Sequence, residues 1–183
     1  MLRLAAYYLP LVALSFLQYS KGINPELTSQ AVILVCTVMI CVGLLEELIF
    51  RGILFQAIIS RGTVIRAIYL CGFTFRFGHV VNLLRGYSPV DQLIQLVAAI
   101  AIGVTLGYCV AITRSILPGV LFHILFNVSG SLTNHDPLWD TVLVALMVVV
   151  LVPYIAYLHR VLSRLPHLDD EKRAVLATAA PTT

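Results

Sequence analysis

The sequence predicts an all-α fold, a polytopic transmembrane bundle of about six membrane helices. Three observations predict it. Of the 183 residues, 60% are apolar and only 11% are charged, whereas a water-soluble domain carries about a quarter charged residues. Apolar stretches near the ~20 residues that span a bilayer recur along the chain, in keeping with a mean hydropathy of +0.95. Of the 12 Lys and Arg residues, ten flank those stretches and eight of these sort to one side of a membrane. A soluble core, a secreted disulfide scaffold, a disordered chain and a nucleic-acid binder are thereby excluded. The net charge of +3 is spread over separate membrane-flanking places, so it does not make a basic surface.

The six segments, in order, are residues 4 to 19, 31 to 59, 64 to 84, 93 to 113, 116 to 133 and 138 to 162. Turn-forming residues separate them: Gly22, Asn24 and Pro25 after the first, Ser60 to Gly62 after the second, Arg85 to Pro89 after the third, Arg114 and Ser115 after the fourth, and Asn134 to Pro137 after the fifth. The first segment is short, but it carries Pro10 and lacks a small-x-small cleavage site, so a retained helix is expected rather than a signal peptide. Residues 1–162 read as a single transmembrane domain and residues 163–183 as a polar cytoplasmic tail. Cys36, Cys41, Cys71 and Cys109 lie inside apolar runs without paired spacing, which suits buried thiols rather than a metal site or a staple.

With six helices, one side of the membrane receives Arg3, Arg61, Arg66, Arg114, Arg160, Arg164, Lys172 and Arg173, while the other receives Lys21 and Arg85. The rule that short cytoplasmic loops collect Lys and Arg places both termini in the cytoplasm, with the plasma membrane as the expected location. The two halves of three helices do not resemble each other, which disfavours an inverted-repeat transporter.

Against this apolar background a few polar side chains stand at membrane depth, where each charge costs about 2.5 to 3.5 kcal/mol. The second segment carries Glu46, Glu47 and Arg51; the third carries Arg76, His79 and Asn82; the fifth carries His123 and Asn127. Glu47 with Arg51, His79 with Asn82, and His123 with Asn127 are each three or four apart and share a helix face. Glu46 points about 100° away from Glu47, so one carboxylate can pair with arginine while the other faces a cavity. Counted from the cytoplasmic ends at a 1.5 Å rise, Glu46, His79 and His123 lie roughly 21, 20 and 12 Å deep, close enough for one layer of the membrane.

The chemistry of such a cluster is hydrolytic. A carboxylate in an apolar site takes a proton from water, a neighbouring imidazole shares that work, and a second His with an Asn donates hydrogen bonds to a tetrahedral oxyanion. Other intramembrane plans fail on content: the sequence has no His-Glu-x-x-His, no Gly-x-Gly-Asp and no Gly-x-Ser-x-Gly.

The motifs resemble a known family. Glu46-Glu47-Leu48-Ile49-Phe50-Arg51 is similar to the Glu-Glu-x-x-x-Arg motif of the CPBP family, the CAAX proteases and bacteriocin-processing or Abi-type intramembrane proteases. Phe75-Arg76-Phe77-Gly78-His79 resembles its Phe-x-x-x-His motif, and His123-Ile124-Leu125-Phe126-Asn127 its His-x-x-x-Asn motif. The resemblance covers residues 31–133 and implies Glu46 as the water-activating base with His79 beside it, His123 and Asn127 as oxyanion donors, and Glu47 with Arg51 as a supporting ion pair. It also implies a membrane-associated peptide or protein as substrate. Arg76 departs from the family pattern and is expected either to pair with Glu47 or to crowd the cavity. Glu46, His79 and His123 can be read as ligands of a divalent metal such as zinc or as a metal-free site; Asn, a poor zinc ligand, favours the latter.

Structural alternatives stand beside each role. Glu46 can be held by Arg51 or Arg76, and His79 and His123 can bridge helices by hydrogen bonds. Phe75 reads as packing, and Gly103 with Gly107 as a close helix contact within the bundle. At the level of the whole chain the alternatives are a catalytically inactive immunity or partner-binding protein of the same fold, and a proton-coupled transporter with Glu46 and His79 as relay.

Overall fold

A computed structural model describes residues 6–75 and 89–165, with the backbone alone for 89–92 and 94. Six helical rods account for nearly all of these residues, and no strand occurs among them; one isolated antiparallel bridge joins Ile23 to Thr133. The rods follow the apolar segments, the third as far as Phe75, beyond which residues 76–84 lie outside the described ones. The first is α1 (Leu9–Leu17), between single 3-10 turns at Ala6–Tyr8 and Gln18–Lys21. The second is continuous from Ser29 to Ile59 and consists of α2 (Ser29–Glu47), a π-helical stretch Leu48–Leu54 and α3 (Phe55–Ile59). Then come α4 (Val64–Phe75), α5 (Pro89–Thr113), α6 (Leu117–Leu132) and α7 (Pro137–Leu162).

The ends are set by local chemistry. The Thr28 hydroxyl accepts the Ala31 N–H at 3.2 Å and the Asp136 carboxylate accepts the Trp139 N–H at 3.0 Å, each satisfying a free donor of a first turn. Pro137 follows Asp136 at a position where its missing N–H costs nothing. Arg114 ends α5 in the left-handed region at φ 57°, and its N–H returns to the Val110 carbonyl at 2.8 Å.

Three spans are long and apolar enough to cross a membrane: Ser29–Ile59, Gln95–Thr113 and Pro137–Leu162. They differ in what surrounds them. The Gln95–Thr113 span is 78% buried, whereas the Ser29–Ile59 and Pro137–Leu162 spans are 11% and 17% buried, so α5 runs through the middle while α2 and α7 turn apolar sides outward. An apolar surface of that extent is stable facing lipid and costly facing water. The chain is an integral membrane helix bundle. Polar side chains on these helices close on their own backbone, as Thr105 does on the Ala101 carbonyl at 2.7 Å and Ser15 on the Leu11 carbonyl at 3.2 Å.

Packing divides into two groups: α4 and α7 each against α5, and α1 and α2 each against α6. Small residues allow the closest approaches. A Cβ at Gly103 would stand 3.1 Å from the Gly72 Cα, and one at Gly107 would stand 3.3 Å from the Ile68 Cα. Gly103 and Gly107 therefore serve contact between α4 and α5, the role their spacing predicts. Between α2 and α6 the corresponding residue is Gly43, set against Ile124.

Candidate active site

The π-helical stretch sits in the second rod directly after the two glutamates. Its wider winding, seen in the Phe55 N–H reaching back to the Phe50 carbonyl, shifts the phase of every later residue relative to a continuous α-helix. Such stretches occur frequently at functional sites. Arg51 lies within it and turns inward, and both Arg51 and Glu47 are fully buried.

Two charges removed from lipid and water alike need close partners. Arg51 Nη1 donates to Glu47 Oε1 at 2.6 Å, and its Nη2 donates to the Gly103 carbonyl on α5 at 3.0 Å. The guanidinium also lies 4.8 Å from the centre of the Phe75 ring, within cation–π range. One arginine thus ties the π-helical stretch to α4 and α5.

His123 supplies the link to α6. Its Nδ1 stands 3.2 Å from Glu47 Oε1 and its Nε2 stands 3.2 Å from Glu46 Oε2. The ring packs between Phe75, 5.3 Å away between centres, and Phe122, stacked at 6.4 Å. The result is an unbroken chain from Gly103 through Arg51, Glu47 and His123 to Glu46, joining the two packing groups at the centre of the bundle.

The two carboxylates have opposite surroundings. Glu47 has no exposed side-chain surface, while Glu46 keeps 25% of its own and lines a cavity of about 720 Å³ together with Phe75, His123 and Asn127. The Asn127 amide hydrogen-bonds to no other described residue, although its carbonyl accepts the Ser131 hydroxyl at 2.7 Å. One oxygen of Glu47, Oε2, and Arg51 Nε have no partner among the described residues. Against Oε2 lies Gly119, where a Cβ would come within 2.9 Å; the missing side chain is what admits the carboxylate.

A family model described as Rce1-like, type II CAAX prenyl endopeptidase Rce1-like, matches residues 28–129. The match takes in α2 through most of α6 and more than half of the chain. The chain belongs to the Rce1-like family. This is a CAAX protease family, in agreement with the resemblance carried by the three motifs. No curated protein and no solved structure matches the chain.

Of the residues that the motifs single out in this Rce1-like chain, Glu46, Glu47, Arg51, His123 and Asn127 come together at one end of the cavity. His79 lies outside the described residues, as do Arg76, Asn82 and Arg85; the described partners of Glu47 are Arg51 and His123. No group of three His, Cys, Asp or Glu suited to a metal occurs among the described residues. Three participants were not assigned these contacts from the sequence. The Gly103 carbonyl is a backbone group, Gly119 is marked only by what it leaves empty, and Phe75, read as packing, contacts both Arg51 and His123.

Proposed function

We propose that the chain is an intramembrane endopeptidase in which Glu46 activates a water for direct attack on a peptide bond. One observation carries the reading: Glu46 faces a cavity inside an apolar bundle, with His123 Nε2 at 3.2 Å and Asn127 on the same wall. Water held by Glu46 gives up its proton as its oxygen adds to the scissile carbonyl. The oxyanion is met by N–H groups of His123 and Asn127, and the proton passes to the departing amine. His79 shares the activation of water, a role that rests on the family resemblance.

In this scheme Glu47 is a positioning residue. Its carboxylate on Nδ1 fixes the rotation of the His123 ring, as carboxylates do in hydrolytic triads, and Arg51 balances its charge. An imidazole between two carboxylates donates from both nitrogens in its charged form, which suits a donor to a developing oxyanion. We propose that the site is metal-free, since this places His123 in a hydrogen-bonding role. The catalytic unit is the single domain of residues 1–162, because α1 and α7 line the cavity with the motif helices. The substrate is a membrane-associated peptide or protein, and both termini are cytoplasmic.

The test is cleavage of a labelled peptide library by purified protein reconstituted in detergent, beside Glu46→Gln and His123→Ala, with and without a chelator. Cleavage is expected from the native chain in both conditions and from neither variant. Undiminished proteolysis by Glu46→Gln would falsify the mechanism, and loss of activity with the chelator would overturn the metal-free site.

A further inference from the structure

Away from the cavity, polar rings from three helices meet where α4 and α7 flank α5. The Tyr108 hydroxyl stands 3.0 Å from His159 Nδ1 and 3.5 Å from the Tyr69 hydroxyl. Both neighbouring rings stand edge-on to Tyr108, at 6.3 Å for Tyr69 and 6.0 Å for His159 between centres. Tyr108 has no exposed surface, whereas Tyr69 and His159 are exposed. A buried hydroxyl thus holds an exposed imidazole by one nitrogen, and the other, Nε2, has no partner among the described residues. An outward position on a membrane helix is satisfied by an apolar side chain. A polar ring fixed from beneath, with a free nitrogen on the outer surface, is a site for a polar group carried in the lipid.

Depth and charge define that group. α7 has 26 residues, so at 1.5 Å per residue it is about 39 Å long, against about 30 Å of hydrocarbon. Its last turn therefore stands among the lipid headgroups, and His159 lies about 5 Å from its end at Leu162. Tyr69 on α4 and Tyr108 on α5 lie about 8 Å from the same ends, at Val64 and Thr113. This is the level at which hydrocarbon gives way to glycerol and phosphate. The charge there has one sign. Arg66 stands one turn nearer the end than Tyr69 on the same face of α4, and Arg160 follows His159 on α7. Both arginines are exposed, and neither guanidinium has a polar partner among the described residues. The described carboxylates, Glu26, Glu46, Glu47, Asp136 and Asp140, lie in the candidate site or at the opposite end of the bundle.

We propose that Tyr69, Tyr108 and His159, with Arg66 and Arg160, form a site for the phosphate of one anionic phospholipid. His159 Nε2 and the two guanidinium groups meet the phosphate oxygens, and Tyr108 fixes the rotation of the imidazole. The acyl chains run deeper along the exposed apolar side chains of Phe73 on α4 and Val152 on α7. Such a lipid braces the closest approach of α4 and α5. Gly107, beside Tyr108, would place a Cβ 3.3 Å from the Cα of Ile68, beside Tyr69. The same contact brings the Gly103 carbonyl to Arg51, so the bound lipid supports the seam on which the buried ion pair rests. Nothing in this inference depends on the peptidase reading.

The test is native mass spectrometry of the full chain in detergent, titrated with phosphatidylglycerol or with phosphatidylcholine of the same acyl chains. One phosphatidylglycerol per chain is expected to stay bound, at least about tenfold more tightly than phosphatidylcholine, on the scale of the attraction that two basic side chains exert near a membrane surface. Arg66→Gln combined with Arg160→Gln should abolish the preference. Tyr108→Phe changes no charge, yet it should weaken phosphatidylglycerol binding about threefold or more, the loss of one hydrogen bond; a diffuse basic surface would not respond to it. His159→Leu, at an exposed position that leaves the core intact, should do the same, with helix content unchanged by circular dichroism. Inorganic phosphate at millimolar concentration should leave the lipid in place, because it lacks the acyl chains. Equal retention of the two lipids, a preference untouched by both Tyr108→Phe and His159→Leu, or displacement by inorganic phosphate would each overturn the site. So would a preference that emerges only after Asp169→Asn, Asp170→Asn and Glu171→Gln, which would give the site to the chain's own acidic tail.

Discussion

Glu46 keeps a quarter of its side chain open to the cavity while Glu47 keeps none, so the same substitution has different effects at the two positions. Glu46→Gln removes a charge that faces the cavity and leaves Glu47 beside the buried His123, so unfolding in detergent should shift by about 1 kcal/mol, the ordinary cost of a point substitution, with cleavage down at least ~100-fold. Glu47→Gln strips Arg51 and His123 of their common counter-charge. Thermal unfolding should show a loss of about 3 to 5 kcal/mol, the cost of leaving one buried ion unpaired. If the two variants lose equal stability, the division of labour between the carboxylates is wrong. Gly119→Ala probes the same point from α6. Its methyl would meet Glu47 Oε2 at 2.9 Å, displace the carboxylate from His123, and lower kcat more than it raises KM.

At the scale of the helices, the residues of the candidate site are held by contacts that tolerate almost no added volume. A methyl on Gly72 would lie 2.6 Å from Val104 Cγ2 and 3.0 Å from the Val104 nitrogen, and the nitrogen cannot give way as a side chain can. Gly72→Ala should cost about 1 to 3 kcal/mol in unfolding measurements, the usual penalty for overpacking. Because Gly103 lends its carbonyl to Arg51 across the same contact, cleavage should fall as well. Full activity in a destabilised Gly72→Ala would separate the packing of α4 and α5 from the site. The helices themselves were legible in sequence because an apolar run of spanning length and its flanking turn residues are local features. The π-helical stretch was not, since Leu48 to Leu54 has the composition of the α-helix on either side.

Across the whole molecule, charge and shape point in opposite directions. Arg61, Arg66, Arg114, Arg160 and Arg164 gather at the end of the bundle where the second and third rods, and the fourth and fifth, are joined. The cavity reaches the other end, at Lys21 and Asp140. On the proposed topology, with the arginine-rich end cytoplasmic, the cavity mouth would open at the opposite face of the membrane. In a background without the native cysteines, Thr141→Cys, on the cavity wall, should react with a membrane-impermeant maleimide from outside intact cells, and Arg61→Cys should react only in inverted vesicles. The reverse pattern would invert the topology.

The sequence alone determined that this chain lives in a membrane, how many rods it forms, and which helices carry its few polar residues. These follow from the cost of placing a charge or an unpaired backbone group in hydrocarbon, a cost that every segment meets on its own. The tertiary structure decided how those residues are paired. That His123 stands between both glutamates, that Arg51 spends a donor on the Gly103 carbonyl, and that Lys21 closes the cavity begun by Glu46 all depend on how closely separate helices approach. That approach is set by side chains that are absent, at Gly43, Gly72, Gly103 and Gly119, and an absent side chain has a partner only once the helices are packed.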